Sequence, residues 1–273
     1  MQSKFWLFVF CLTVNAVPVV GLAATCTING GSPTVTSPIN SATHLNGAIC
    51  GSTVTGAGCQ LTLSANATSS SNADCLTIGR GVRVIGQDKE FVCTGSACGR
   101  AIVVLSGSSG TTQIDNVKIT GCWSKGIYSN QSNVAADAAD IEIDLECSGV
   151  NSGVGIEAIK NVERSIVSHT TKALYLPPSA NVTDVVLFSN TTGVEATGSN
   201  ITLTGVRART NTYSFRKSNS SIGDMDVRRS VIRDAASCHC INDGTNTCGS
   251  LTVFDCVGFS GSWASFVDNT IHN

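Results

Sequence analysis

Asn116-Val117-Lys118-Ile119, Asp140-Ile141-Glu142-Ile143, Asn161-Val162, Asn181-Val182 and Asn200-Ile201-Thr202-Leu203 repeat one short phrase, a polar residue followed by a β-branched or aliphatic one. Counted from the first apolar residue, the steps are 24, 21, 20 and 19 residues. A further copy, Gly249-Ser250-Leu251-Thr252-Val253, follows 50 residues later, with a poorer one at Met225-Asp226-Val227 between. A second phrase trails the first: Gly126-Ile127-Tyr128, Gly155-Ile156-Glu157, Ala173-Leu174-Tyr175-Leu176, Gly193-Val194-Glu195-Ala196 and Tyr213-Ser214-Phe215. Two short strands per repeat, at a period too short for a propeller blade and without a leucine-rich frame, indicate a β-solenoid.

Working outward, the 273 residues contain 42% hydrophobic but only 13% charged residues, with 27 Gly and 5 Pro. That balance suits many short strands joined by Ser/Thr/Asn/Gly turns. The alternation in Ile141-Glu142-Ile143-Asp144-Leu145 contradicts helical spacing. A net charge of −2 and a pI near 6.1 give no electrostatic reason to expect a nucleic-acid partner. Residues 1–24 read as a signal peptide: Lys4, an apolar run from Phe5 to Val20, then small residues suited to cleavage after Ala23. No later run is long enough to span a bilayer. The mature chain, 25–273, is therefore expected to be secreted, or periplasmic in a bacterial host. Of 13 cysteines, 12 remain after the signal, and an even dozen in an exported chain reads as disulfides. Cys93/Cys98 and Cys240/Cys248 are candidate local bridges. Cys122 and Cys147 occupy comparable places in successive repeats, so stacking brings them together or places them in a cysteine column. Residues 237–249 read as a disulfide-pinned loop.

The repeated phrases resemble those of the right-handed parallel β-helix, or pectin-lyase-like, family over roughly residues 60–267. The resemblance implies an all-β chain forming a single right-handed parallel β-helix of nine to ten coils. In such a fold like residues stack about 4.8 Å apart. Val117, Ile141, Val162, Val182 and Ile201 are expected to form one interior column, and Ile127, Ile156, Leu174 and Val194 another. Asn116, Asn161, Asn181 and Asn200, with Asp140, read as a turn ladder, since Asn tolerates left-handed backbone. No amphipathic capping helix is visible before residue 50. Six Asn-x-Ser/Thr sequons occur, at Asn66, Asn130, Asn181, Asn190, Asn200 and Asn219.

Enzymes of that family work on polysaccharide along an outward sheet face, and the resemblance raises the same expectation here. The polygalacturonase motifs Asn-Thr-Asp, Asp-Asp, Gly-His-Gly and Arg-Ile-Lys are all absent. If Ile127, Ile156, Leu174 and Val194 point inward, then Tyr128, Glu157, Tyr175 and Glu195 point outward. Glu157 and Glu195, two rungs or about 9.6 Å apart, are the candidate catalytic pair, near the upper limit for inverting glycoside hydrolysis. Tyr128 and Tyr175 offer flat faces to sugar rings. Arg207, Arg209, Arg228 and Arg229 are candidate contacts to an acidic polysaccharide. The competing reading is a solvated sheet face with no ligand.

Lys118, Glu142, Glu163, Thr183, Thr202, Asp226 and Thr252 are expected together on the outward side of the first strand. Asp140, Glu142, Asp144 and Glu146 form an acidic stripe that is either a cation site, with calcium as the suited ion, or a solvated edge too long for one ion. No metal ligand is assigned and no cofactor is required. His169 and His239 have no partnered acid in a recognised order. Two functions follow: a secreted protein that binds or acts on extracellular polysaccharide or cell-surface glycan, or a non-catalytic structural or adhesion module that uses the solenoid for display.

Overall fold

The computed structural model describes residues 49–233, apart from residues 57, 107–109, 131–135 and 218–224, and the backbone of strands at Thr27–Asn29, Thr34–Val35, Ala42–Asn46, Cys238–Asn242, Ser265–Val267 and Thr270–His272. The signal segment, Cys248, Thr252 and Asn219 lie outside it, as does all but the strand backbone of the 237–249 loop. The chain is a parallel β-solenoid of about seven turns, fewer than the nine to ten expected. A coil contributes three strands, for example Asn161–Glu163, Ile166–Ser168 and Thr170–Leu176. First strands stack into an 11-stranded sheet. Second and third strands run on into one another at Glu90–Val104 and Lys118–Ser129, which joins their stacks into one 18-stranded sheet.

Three interior columns carry the core. On the first strand the column is Leu61, Val84, Ile114, Ala138, Val162, Val182, Leu203 and Val227, all essentially inaccessible. Its steps, 23, 30, 24, 24, 20, 21 and 24 residues, are the true coil lengths. On the second strand it is Phe91, Ile119, Ile143, Val167, Leu187, Ala208 and Ile232. On the third it is Ile102, Ile127, Ile156, Leu174, Val194 and Phe215, which contains the expected Ile127 to Val194 column. Full burial of such a side chain is worth about 1.5–3 kcal/mol.

The other expected column divides. Val117, Ile141, Val162, Val182 and Ile201 are all buried, but Val162 and Val182 belong to the first strand, while Val117 and Ile141 sit at the corner after it. Ile201 pairs with Met225, two residues before Leu203, the partner of Val182. The same polar-then-branched phrase is used at three places in the coil, so matching phrases does not align coils. The outward set assembled on that register divides with it. Lys118 and Glu142 lie on the second strand, while Glu163, Thr183, Thr202 and Asp226 lie on the first.

The corner itself is a backbone ladder. Asn116, Asp140, Arg164, Asp184, Gly205 and Arg229 all adopt left-handed φ between 44° and 68°. From Asn116 to Gly205 each N–H donates to the coil above, as from Asn116 to Ala139 (3.1 Å) and from Asp184 to Thr204 (2.9 Å). Asn, Asp and Gly tolerate this backbone; arginine does so at a cost. Arg164 offsets that cost with two 2.9 Å contacts to Asp140. The residues that follow point inward, and Ser165 and Ser230 interrupt the apolar series. Both hydroxyls accept an N–H from the preceding coil, from Ile141 and Val206 respectively, at 3.1 Å. The expected asparagine turn ladder is thus misplaced: Asn161 and Asn181 lie in strands, and Asn200, at φ 60°, belongs to a different turn.

A second corner holds a polar ladder that the sequence reading missed. Asn190 and Asn211 are buried. Asn190 Oδ1 accepts from the Thr170 N–H (3.0 Å) and hydroxyl (2.7 Å). Its Nδ2 donates to Val167 O and Asn211 Oδ1, both at 3.0 Å, and Asn211 Nδ2 donates to Leu187 O at 3.0 Å. Every polar end is satisfied, as burial requires. Asn190, a sequon by sequence, has no amide free for a glycan in the folded chain.

Disulfides staple neighbouring coils. Cys93–Cys98 closes a local loop, and Cys122–Cys147 joins successive coils as stacking suggested. Cys50–Cys75 was not anticipated, yet its separation of 25 residues equals that of Cys122–Cys147, about one coil. Cys59 is bonded as well, so all seven cysteines within 49–233 are disulfide-bonded. Thr27–Asn29 pairs antiparallel with Ser52–Thr55, and Thr34–Val35 pairs antiparallel with Ala42–Asn46, so each sheet begins with an antiparallel strand ahead of the parallel stack.

Candidate functional site

The third strand departs from simple alternation, and that departure builds the site. Gly126, Gly155, Ala173 and Gly193 immediately precede the inward residues Ile127, Ile156, Leu174 and Val194, and are themselves directed at the next coil. A Cβ added at Gly126, Gly155 or Gly193 would meet the carbonyl oxygen of Gly155, Ala173 or Ser214 at 2.6 Å. Only small residues fit, and the strand bends there. The bend turns the residue before it outward as well as the one after the core position. Two outward columns result. One is Asp74, Arg100, Lys125, Val154, Lys172, Thr192 and Tyr213; the other is Val103, Tyr128, Glu157, Tyr175, Glu195 and Arg216.

The columns interlock as a repeated unit. Lys125 Nζ lies 4.0 Å from the Tyr128 ring centroid and 2.8 Å from Glu157 Oε2 of the next coil. Lys172 Nζ lies 4.4 Å from the Tyr175 centroid and 3.0 Å from Glu195 Oε1 of its next coil. A lysine, a tyrosine three residues on and a glutamate one coil later thus occur twice, in register, two coils apart. Arg100 also approaches Tyr128, its Cζ 4.7 Å from the ring centroid, and forms a forked pair with Asp74 at 2.8 and 2.5 Å. Those hydrogen bonds hold the Asp74 carboxyl below the usual carboxylate range and push the Arg100 guanidinium up, both against the effect of partial burial. Arg216 closes the far end, with Nη1 3.9 Å from Glu195 Oε2 and Cζ 5.9 Å from the Tyr213 centroid.

Tyr128, Glu157, Tyr175 and Glu195 stand in one column, as expected. Each glutamate has its own lysine as counter-ion. Glu195 is only 5% exposed, covered by its neighbours. Tyr175 stands between the two carboxylates in the column, where inverting hydrolysis needs room for a water.

The arginines go elsewhere. Arg207 and Arg209 are exposed on the second strand, Arg228 ends a first strand paired with Asp226, and Arg229 occupies a left-handed corner. None joins the tyrosine column. The acidic stripe stays on one coil but is paired with neighbouring coils: Asp140 with Arg164, Glu142 with Lys118 at 2.8 Å, and Asp144 with His169 Nδ1 at 2.9 Å. His169 therefore has an acid partner, contrary to the sequence reading, because that partner lies one coil away. Asp144, Glu146 and His169 bring ligand atoms within 4.8 Å of one another. These groups are exposed or half-exposed, and an edge of this kind is common without an ion.

Lys125 and Lys172 are the members of this cluster that the sequence reading missed. The available signal was Lys-x-x-Tyr at 125–128 and 172–175, but strict alternation assigns the two residues opposite faces. Comparison with known protein families, curated proteins and solved structures finds no match. The site's own geometry therefore carries the functional argument.

Proposed function

We propose that this chain is an exported polysaccharide-binding protein whose third-strand face holds an extended glycan without cleaving it. The observation that carries the reading is the lysine, tyrosine and glutamate unit repeated in register two coils apart. Two coils span about 9.6 Å, close to the length of a disaccharide in an extended chain. A tyrosine at that spacing meets every second sugar ring, and the lysine stacked on it fixes the ring before the ligand arrives, which reduces the ordering cost of binding. The lysine-paired glutamates support binding over hydrolysis. Export is supported by the signal-like start of the chain and by disulfides, which persist in oxidising compartments. The resemblance to pectin-lyase-like repeats agrees with a polysaccharide ligand on a sheet face.

A glycan array probed with the mature chain, followed by calorimetry on the best oligosaccharide, tests the reading. Tyr175→Ala and Tyr128→Ala should each weaken binding about fivefold or more, since loss of a stacked ring costs about 1 kcal/mol. No reducing ends or unsaturated products should accumulate. Turnover that disappears in Glu157→Gln or Glu195→Gln would replace binding with catalysis at this face. Failure to bind any glycan would leave the display-scaffold reading.

A further inference from the structure

Resting on that reading of the face, we infer that its ligand is an uncharged polysaccharide, not an acidic one. The described side chains of the face include four cations, Arg100, Lys125, Lys172 and Arg216, and three carboxylates, Asp74, Glu157 and Glu195. Every cation has a carboxylate within 3.9 Å, and Glu195 is approached by two of them. A uronate or sulfate that reached Lys125 or Lys172 would also approach the glutamate already paired with it. To take the lysine for itself it must break the ion pair.

At Glu195 that step is costly. Its side chain is 6% exposed, so it cannot turn into water when Lys172 leaves. Stripping Lys172 away removes the hydrogen bond to Glu195 Oε1 and leaves its charge, in a covered position, facing Arg216 at 3.9 Å with no hydrogen bond to Oε2, which is the expensive outcome. A sugar hydroxyl asks for no such exchange. It donates to a carboxylate oxygen or accepts from an ammonium N–H while the pair stays intact. The tyrosines supply the remaining contact through ring stacking, which is indifferent to ligand charge. The exposed arginines Arg207, Arg209 and Arg229 lie on other strands and corners.

Salt dependence separates the two ligand classes, because screening weakens attraction between exposed charges and leaves stacking and neutral hydrogen bonds nearly untouched. The probes are cello-, xylo-, manno- and laminari-hexaose as neutral chains and hexagalacturonate and hexaguluronate as acidic ones. At least one neutral hexaose should bind wild-type protein, lose most of its affinity in Tyr175→Ala, and change by less than about twofold in Kd between about 0.05 and about 0.5 M sodium chloride. The acidic hexaoses should bind this face at least about tenfold more weakly at low salt. Glu157→Gln frees Lys125, so it should raise hexagalacturonate affinity and make it salt-sensitive, with thermal stability checked alongside. Acidic hexaoses that bind more tightly than neutral ones, and lose that binding in Tyr175→Ala, would overturn the neutral assignment while leaving polysaccharide binding standing. Absence of binding by both series would remove the polysaccharide reading and this one together.

Discussion

Ile127, Ile156, Leu174 and Val194 face the core, while their chain neighbours Tyr128, Glu157, Tyr175 and Glu195 face outward, so the two sides of one strand differ by a single residue step. On the inner side each residue needs only to be apolar and of suitable volume; Phe215 continues a column of Ile, Leu and Val. On the outer side identity matters, because a lysine, a tyrosine and a glutamate must meet across coils in one arrangement. The inner column is held by packing, and the outer one by charge and ring contacts between coils. The two lysine–glutamate pairs are half-buried, with Glu195 nearly covered, and each holds its lysine against a tyrosine ring of the coil before.

The largest break in this contrast comes from crossing it. Ile156→Asp, or Ile143→Asp in the second-strand column, places an unpaired carboxylate at a fully buried position and should prevent folding, read as loss of the β-sheet circular-dichroism signal and of the cooperative unfolding transition. A folded Ile156→Asp protein would contradict the register. Next comes the buried polar corner. Asn190→Ala strands the Thr170 N–H and the Val167 carbonyl, and should cost about 2–4 kcal/mol in chemical denaturation. An exposed amide at similar coil spacing, Asn181, should tolerate the same change within about 0.5 kcal/mol.

The smallest effect sharpens the outer side. Asp74 is held below its ordinary value by Arg100, so its folded form binds a proton less readily than its unfolded form. Its contribution is therefore present above the unfolded value and is lost as pH falls through the folded one, below about pH 4. Asp140 beside Arg164 acts in the same direction. Asp74→Asn should flatten the acid limb of the stability profile and leave stability near neutral pH only slightly reduced, measured by denaturation across pH. An unchanged acid limb would show that the Arg100 pair does not hold in solution.

The sequence made the third strand legible because Gly-Ile-x and Ala-Leu-x phrases mark one place in every coil. It misled on the Asn-Val phrase because the coil uses that phrase in a strand, in a corner and at a strand start, with coil lengths that vary from 20 to 30 residues. The outward tyrosines and glutamates followed from alternation alone. Their lysines did not, since the bend at Gly126 and Ala173 suspends alternation, and only the stacked coils reveal why those residues are small. The sequence presented Asn190 as a sequon because burial is set by neighbours a coil away. Cys50–Cys75 was readable in principle, once the coil length was known.

The most direct test of the outer face is hydroxyl-radical footprinting of the mature protein, with and without a saturating neutral oligosaccharide chosen from the array. Tyr128 and Tyr175 should lose most of their reactivity on binding, while exposed residues of the first strand, such as Glu163 and Asn181, stay unchanged. Unaltered reactivity at both tyrosines, with protection appearing on the first strand or at Arg207 and Arg209, would contradict the assignment of this face.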